Sequence, residues 1–356
     1  MKLRLTKILL TISISTFLFS CNGQVNTEKK STTSNELLIE KNKPALDNKI
    51  WVIYQDSNEQ YWFGSNGNGI YHFDGEKIKQ FTEENGLVSN QIRGIQENKA
   101  GSIFIETPEG ISVFDGTSFT TLQPIISENN EWKLEPNDLW FSCNGNANDV
   151  FRFDGNNLYQ LELPRKDLDK NFGIDTSKLP YNAYSIFGID RDKDGNIWFG
   201  TVLAGAYRYD GKSFLWVNEK ELSRQKDGRE PGVRSIVEDK NDNIWMGNLS
   251  SNYRIRNNKY VKKRIDASIP LKNGQTQFFN SGLSDMDGNL WMTTYSNGVW
   301  RYDGKELSRY IIKNSSEQVM LISIYEDKNG TIWLGTDNDG VYRMNGDEFE
   351  KFDPKT

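Results

Sequence analysis

Histidine and cysteine are almost missing from this chain, with one histidine and two cysteines in 356 residues. A histidine-rich metal site cannot be assembled from that inventory. A basic excess is missing as well. Lys and Arg number 43 against 49 Asp and Glu, a formal net charge of -6. Phosphate binding needs a basic footprint, so nucleic acid is not expected as a partner. Long apolar runs are also lacking. The uncharged stretch 8–19, rich in Ile, Leu and Phe, is twelve residues long. That is too short to span a bilayer as a helix, and no later segment reads as a transmembrane helix.

What stands at the N-terminus is an address. Lys2, Arg4 and Lys7 precede the stretch 8–19, and Leu18-Phe19-Ser20-Cys21 follows its core. A positive region, a short apolar region and a small residue before the cut make a secretory signal peptide over 1–20. Leu18-Phe19-Ser20-Cys21 resembles the bacterial lipobox, which implies acylation of Cys21 and a lipid anchor to the membrane. Asn22 follows in place of Asp, and no acidic run comes after it, so the expected location is the outer membrane, on its periplasmic face. Without residues 1–20 the chain has 40 basic and 49 acidic residues, a net charge of -9. The rest of 21–47 is polar and free of aromatics, and so reads as a flexible tether. Its coil spans about 30 Å. With Cys21 acylated, Cys143 has no disulfide partner and reads as a small buried thiol.

Residues 48–356 repeat one unit. An apolar alternating run leads to an acidic turn with Gly, then to a strand of the type Ile-Trp-Phe-Gly-Thr. A Gly, an aromatic strand and an Asp-Gly turn follow. Asp192 to Thr201 and Asp327 to Thr336 are the clearest copies. The aromatic of the second strand falls at Trp62, Phe104, Trp140, Trp198, Trp245, Trp291 and Trp333, at intervals of 42, 36, 58, 47, 46 and 42 residues. Such a period suits a four-stranded propeller blade. The fold class expected is therefore all-β, a seven-bladed β-propeller of four-stranded antiparallel blades. The first blade's strands are expected at Ile50–Gln55, Gln60–Ser65, Gly69–Phe73 and Lys77–Phe81. Asp74-Gly75, Asp115-Gly116, Asp154-Gly155, Asp210-Gly211 and Asp303-Gly304 read as tight hairpins. The tryptophans read as inter-blade core. The second and third copies are degenerate, and the third has little acidic turn before Trp140.

The repeat resembles the two-component-regulator propeller repeat, Asp-x-x-Gly-x-Ile-Trp-Ile-Gly-Thr followed by Gly-Leu-x-Arg, over most of residues 50–352. That resemblance implies a periplasmic sensor-type propeller, and in known examples such sensors recognise polysaccharide fragments. The chain departs from the family's hybrid kinases by carrying one propeller and no kinase, receiver or transmembrane helix after it.

Links between the second and third strands, and between blades, are long and variable. Insertions fall near 123–136, 162–180, 218–231 and 262–275. Binding usually resides on such loops, so ligand contacts are expected on that face. Its central rim should include Asn66, Asn68, Glu106, Asn144, Asn146, Tyr295, Asn297, Asp337, Asn338 and Asp339. Amides, carboxylates and a tyrosine suit an oligosaccharide or peptide ligand. An envelope protein is the other partner these features allow.

Catalysis is not expected. His72 stands ten residues after Trp62, as Arg208, Arg301 and Arg343 stand ten after their tryptophans. It fills a repeat position and leaves no Ser-His-Asp triad. Antibiotic-linearising lyases with similar repeats need catalytic histidines, and sialidase Asp-boxes end in a Thr-Trp that these turns lack. A carboxylate pair could still serve an envelope glycoside hydrolase or lyase. Asp192-Lys193-Asp194-Gly195-Asn196 and Asp285-Met286-Asp287-Gly288-Asn289 resemble the start of a calcium loop without its distal Glu. No metal or cofactor is expected.

Overall fold

The computed structural model describes residues 45–126, 131–143, 149–223, 232–248, 250–265, 278–295, 298–310, 312 and 319–354. They form a seven-bladed β-propeller of seven four-stranded sheets. The first blade runs Ile50–Gln55, Tyr61–Ser65, Ile70–Phe73 and Ile78–Phe81. First strands of adjacent blades run beside one another from blade 4 through 5, 6 and 7 to 1 and 2. They line the axis.

The acidic turn explains itself through the tryptophan. Trp62, Trp198, Trp245, Trp291 and Trp333 each donate their indole N–H to the Asp six residues earlier, at 2.7–3.0 Å. The acceptors are Asp56, Asp192, Asp239, Asp285 and Asp327. The other oxygen of the same carboxylate takes backbone N–H groups of the turn, as Asp192 Oδ1 does from Asn196. A buried indole N–H without an acceptor would cost about 1–3 kcal/mol. Phe104 needs no acceptor, and Asn98 stands six before it. Trp62 packs against Ile95, Ile103 and Ile105 of the next blade, and Trp198 against Val233, Ile236 and Ile244. The tryptophans are thus inter-blade core, as expected.

The Asp-Gly turns follow one design. Asp74 Oδ1 accepts the backbone N–H of Glu76 and Lys77, and the other four aspartates repeat this. Each Gly has φ between 85° and 101°, a region that L side chains rarely enter. His72 stacks on Trp62 at 4.2 Å and its Nε2 lies 2.8 Å from Gln60 Oε1. It pairs across the sheet with Trp62 as Arg208 pairs with Trp198. Cys143 is buried and in no disulfide.

A latch ties blades together. Glu97, Glu238, Glu326 and Gln55, seven residues before their aromatics, accept the backbone N–H of Ser57, Lys193, Met286 and Lys328 in the preceding blade's turn. The last of these closes blade 7 on blade 1. Phe352 adds to that closure by packing on Phe63, Phe73 and Trp333.

Blade 3 departs from the plan. Its sheet order is Leu139–Phe141, Asp149–Phe153, Leu158–Glu162 and then Pro124–Ile126. Trp140 marks Leu139–Phe141 as a second strand. No first strand stands inside it among the described residues. The fourth strand is supplied from upstream and pairs in parallel with Leu158–Glu162, where every other pairing between the described strands is antiparallel. Trp132, in the segment that would have led into a first strand, packs instead on Trp140, Phe199, Tyr209 and Phe214, beside blade 4.

Candidate functional site

The absent strand leaves a cavity of about 410 Å³ between the first strands of blades 2 and 4. Its floor and walls include Arg93, Gln96, Glu106, Trp140, Phe187 and Asp190.

The open edge of blade 3 is held by side chains from blade 2. Gln96 Nε2 donates to the Trp140 carbonyl at 2.7 Å. Glu106 Oε1 accepts from Ser142 N at 3.0 Å, Ser142 Oγ at 2.8 Å and Cys143 N at 2.6 Å. Glu106 occupies the slot two residues after the aromatic. Blades 1, 4 and 7 have Gly64, Gly200 and Gly335 there because the next first strand crowds it. A Cβ on Gly200 would meet Val233 O at 2.1 Å, and one on Gly335 would meet Ile50 O at 2.6 Å. Beside Glu106 that strand is missing, so a long side chain fits. Opposite it, a Cβ on Gly94 would fall 2.6 Å from Glu106 Oε2. Burial pushes the Glu106 carboxyl above its ordinary pKa, against the pull of its three hydrogen bonds and of Arg93.

Two arginine–aromatic stacks flank the gap. The Arg93 guanidinium lies 4.6 Å from the Trp51 ring and that of Arg234 lies 4.0 Å from the Phe187 ring. All four residues stand eleven before their blade's aromatic. Arg93 donates to Asn66 Oδ1 at 3.0 Å and Gln91 Oε1 at 2.8 Å. Trp51 Nε1 donates to Asp337 Oδ1 at 2.7 Å. Below this rim sits Asp190. Its carboxylate accepts only the Arg191 N–H, at 2.8 Å, among the described residues. Burial, then Asp192 and Glu238, raises its pKa to about 7 against that bond. Protein surrounds the group, yet more than a third of its surface opens to the cavity. Solvent there screens part of the shift. Asp138 is different, since it forms a buried ion pair with Arg152 at 2.6 Å.

Of the rim residues expected from sequence, Glu106 lines the cavity. Asn66 and Asp337 hold the Arg93–Trp51 stack. Asn68 and Tyr295 are exposed, Asn338 Oδ1 accepts from Met320 N, and Asp339 accepts from Tyr342 and Lys351. Cys21, Asn144, Asn146 and Asn297 lie outside the described residues. Arg93, Phe187, Asp190 and Arg234 were missed. A Glu in the Gly slot after Phe104 was the sequence signal for the gap. The carboxylates of Asp192 and Asp285 in the calcium-like turns are occupied by indole and amide donors.

The model of the family described as "Two component regulator propeller" matches residues 45–67, 179–202 and 315–338, which fall in blades 1, 4 and 7. These three segments match that repeat. Solved structures that resemble the chain share the fold. The extracellular domain of the hybrid two component system BT4673 from B. thetaiotaomicron is 22% identical with a TM-score of 0.55; the match covers 85% of this chain and 40% of that one. The corresponding domain of BT3049 from the same organism is 19% identical at a TM-score of 0.52, over 84% of this chain and 41% of that one. This chain therefore spans about 40% of those extracellular domains. Virginiamycin B lyase from Staphylococcus aureus is 16% identical at a TM-score of 0.59, over 84% of this chain and 96% of the lyase. No curated protein matches the chain.

Proposed function

We propose that the chain is an exported, lipid-anchored, non-enzymatic binding module whose ligand, an oligosaccharide, enters the cavity in blade 3. The observation that carries this reading is that the cavity is built. Gln96 and Glu106 already satisfy the edge that a first strand would have covered. That edge therefore needs no strand to satisfy the Trp140 carbonyl or the Ser142 and Cys143 N–H groups. Its chemistry suits sugars. Phe187 offers an aromatic side chain, Asp190 accepts hydroxyl protons, and Arg93 donates, with Trp51 and Arg234 backing Arg93 and Phe187 from outside the lining. The likeness to extracellular sensor domains supports an exported binding role. The lipobox-like Leu18-Phe19-Ser20-Cys21 supports the anchor. No helix of the described residues is long and apolar enough to cross a membrane.

A second reading, an envelope hydrolase or lyase, rests on Asp190, whose raised pKa fits a general acid. Of the cavity's other two carboxylates, Glu106 is bound by three donors through one oxygen and Asp138 is ion-paired with Arg152, and that favours binding over catalysis.

Thermal unfolding of residues 22–356 against neutral and acidic oligosaccharides and cell-wall fragments tests the reading. A ligand at 100 times its dissociation constant stabilises by about 2.7 kcal/mol, an upward shift of several degrees. A shift with ligand recovered intact supports the module. Cleaved ligand transfers the case to the hydrolase. No shift with any sugar defeats the oligosaccharide reading and leaves a peptide or envelope protein. Labelling with a radioactive fatty acid, lost in Cys21→Ser, tests the anchor.

A further inference from the structure

Blade 5 carries a charge pattern that no other blade shares. From Asn243 to Ile265 there is no Asp or Glu, while Arg254, Arg256, Lys259, Lys262, Lys263 and Arg264 fall within eleven residues. They lie on the outer hairpin, Ser251–Arg256 and Lys259–Arg264, turned by Asn257 and Asn258 at φ 52° and 53°. The register pairs Arg254 with Val261, Arg256 with Lys259 and Asn252 with Lys263, so these side chains share one face.

The opposite face is used for packing. Tyr253 is buried and Tyr260 packs beside it. Lys262 on that side is paired with Glu219 at 2.8 Å and with Glu221. Arg254 donates to Asn243 Oδ1 and the Asn241 carbonyl. Arg256, Lys259 and Lys263 remain exposed on one face, with Arg264 at the strand end, and none has an ion pair among the described residues. Val261 lies among them, 55% exposed.

Lysine on an edge strand protects against edge-to-edge pairing, and one or two would serve. The outer strands Ile78–Phe81, Phe214–Val217 and Leu307–Tyr310 manage with one cation or none, and Glu348–Lys351 mixes signs. The excess in blade 5 calls for another cause. Three uncompensated cations, Arg256, Lys259 and Lys263, on the face of an exposed valine in an acidic chain match a negatively charged lipid interface.

We propose that the Arg256–Lys259–Lys263 face docks on anionic phospholipid headgroups, with Val261 at the interface. The proposal takes its setting from the anchored reading, in which a tether of about 30 Å keeps the propeller beside a bilayer. It does not need the sugar site. Docking would fix which way the propeller faces.

The test is cosedimentation of unacylated 22–356 with vesicles of phosphatidylcholine alone or with added phosphatidylglycerol. Every described strand lies between Ile50 and Lys351, so this chain keeps the whole fold. Each cation at such a surface raises partitioning about fivefold. The wild type is expected on the anionic vesicles only. Lys259→Glu/Lys263→Glu is expected to lose at least about tenfold, while Lys77→Glu/Lys99→Glu, with the same charge change on exposed lysines of blades 1 and 2, keeps most of its binding. Equal binding to both vesicles overturns the proposal. So does equal loss in both double variants, or binding to a soluble polyanion without binding to vesicles. Because acylation is absent from the assay, these outcomes are independent of whether Cys21 is lipidated.

Discussion

Trp140 holds a buried indole N–H that meets no acceptor among the described residues, and Leu134 stands six residues before it where five other tryptophans have an aspartate. The missing aspartate and the missing first strand fall in the same blade. The turn that should follow that strand is absent, and Leu134 lies beside Gly211 of blade 4 instead.

A stability difference follows. Trp140→Phe removes no hydrogen bond, whereas Trp198→Phe removes the one to Asp192. The second substitution is expected to cost about 1–2 kcal/mol more than the first. Urea midpoints of the two variants measure it, and equal midpoints would contradict the aspartate–indole account.

Glu106 and Gly94 should be coupled. Gly94→Ala places a Cβ against Glu106 Oε2 and is expected to cost about 1–3 kcal/mol. Glu106→Ala strips three donors of their acceptor and is expected to cost about 2–4 kcal/mol. The double variant is expected to cost less than the sum, because the clash disappears with the carboxylate. Additive costs would mean that the two do not share one space.

Asp190 sets a pH dependence of definite sign. Its folded pKa, about 7, lies above the ordinary 3.8. Its contribution is therefore fully present below about pH 4 and is lost as pH rises through 7. Asp190→Asn is expected to be more stable than wild type at pH 8, by about 1 kcal/mol after screening by solvent in the cavity. The difference should vanish near pH 4. Denaturant unfolding at the two pH values checks this.

His72 gives an acid-side effect. Burial lowers its pKa below 6.5. Its contribution is present above pH 6.5 and is lost as pH falls through the folded value. The imidazole should titrate below 6.5 by NMR, and His72→Gln should blunt the loss of stability toward pH 5.

Much of the fold was legible because the repeat is redundant. Seven aromatic marks gave seven blades, and Asp-Gly pairs placed the outer hairpins at Asp74, Asp115, Asp154, Asp210 and Asp303. The site was legible only in part. Strands of a blade are apolar on both faces, so periodicity does not say which strand lines the axis or that one is missing. Attention fell on loop tips such as Asp337 and Asn338, whose side chains hold Trp51 and the Met320 backbone. The cavity is instead lined by Phe187 and Asp190 of the first strand of blade 4 and by Arg93, just before the first strand of blade 2. Two departures from the repeat, Glu106 in a Gly slot and Leu134 in an Asp slot, carried that information and become readable only when the blades are aligned on their aromatics.

The most direct test of the central claim is calorimetric titration of the stabilising oligosaccharide against cavity and tip variants. Phe187→Ala and Asp190→Asn are expected to weaken binding by about tenfold or more, roughly the 1.4 kcal/mol that a lost ring face or hydroxyl contact is worth. Asn68→Ala and Tyr295→Ala are expected to leave it unchanged. Loss of affinity in the tip variants with full affinity in the cavity variants would contradict the account and move the ligand out of blade 3.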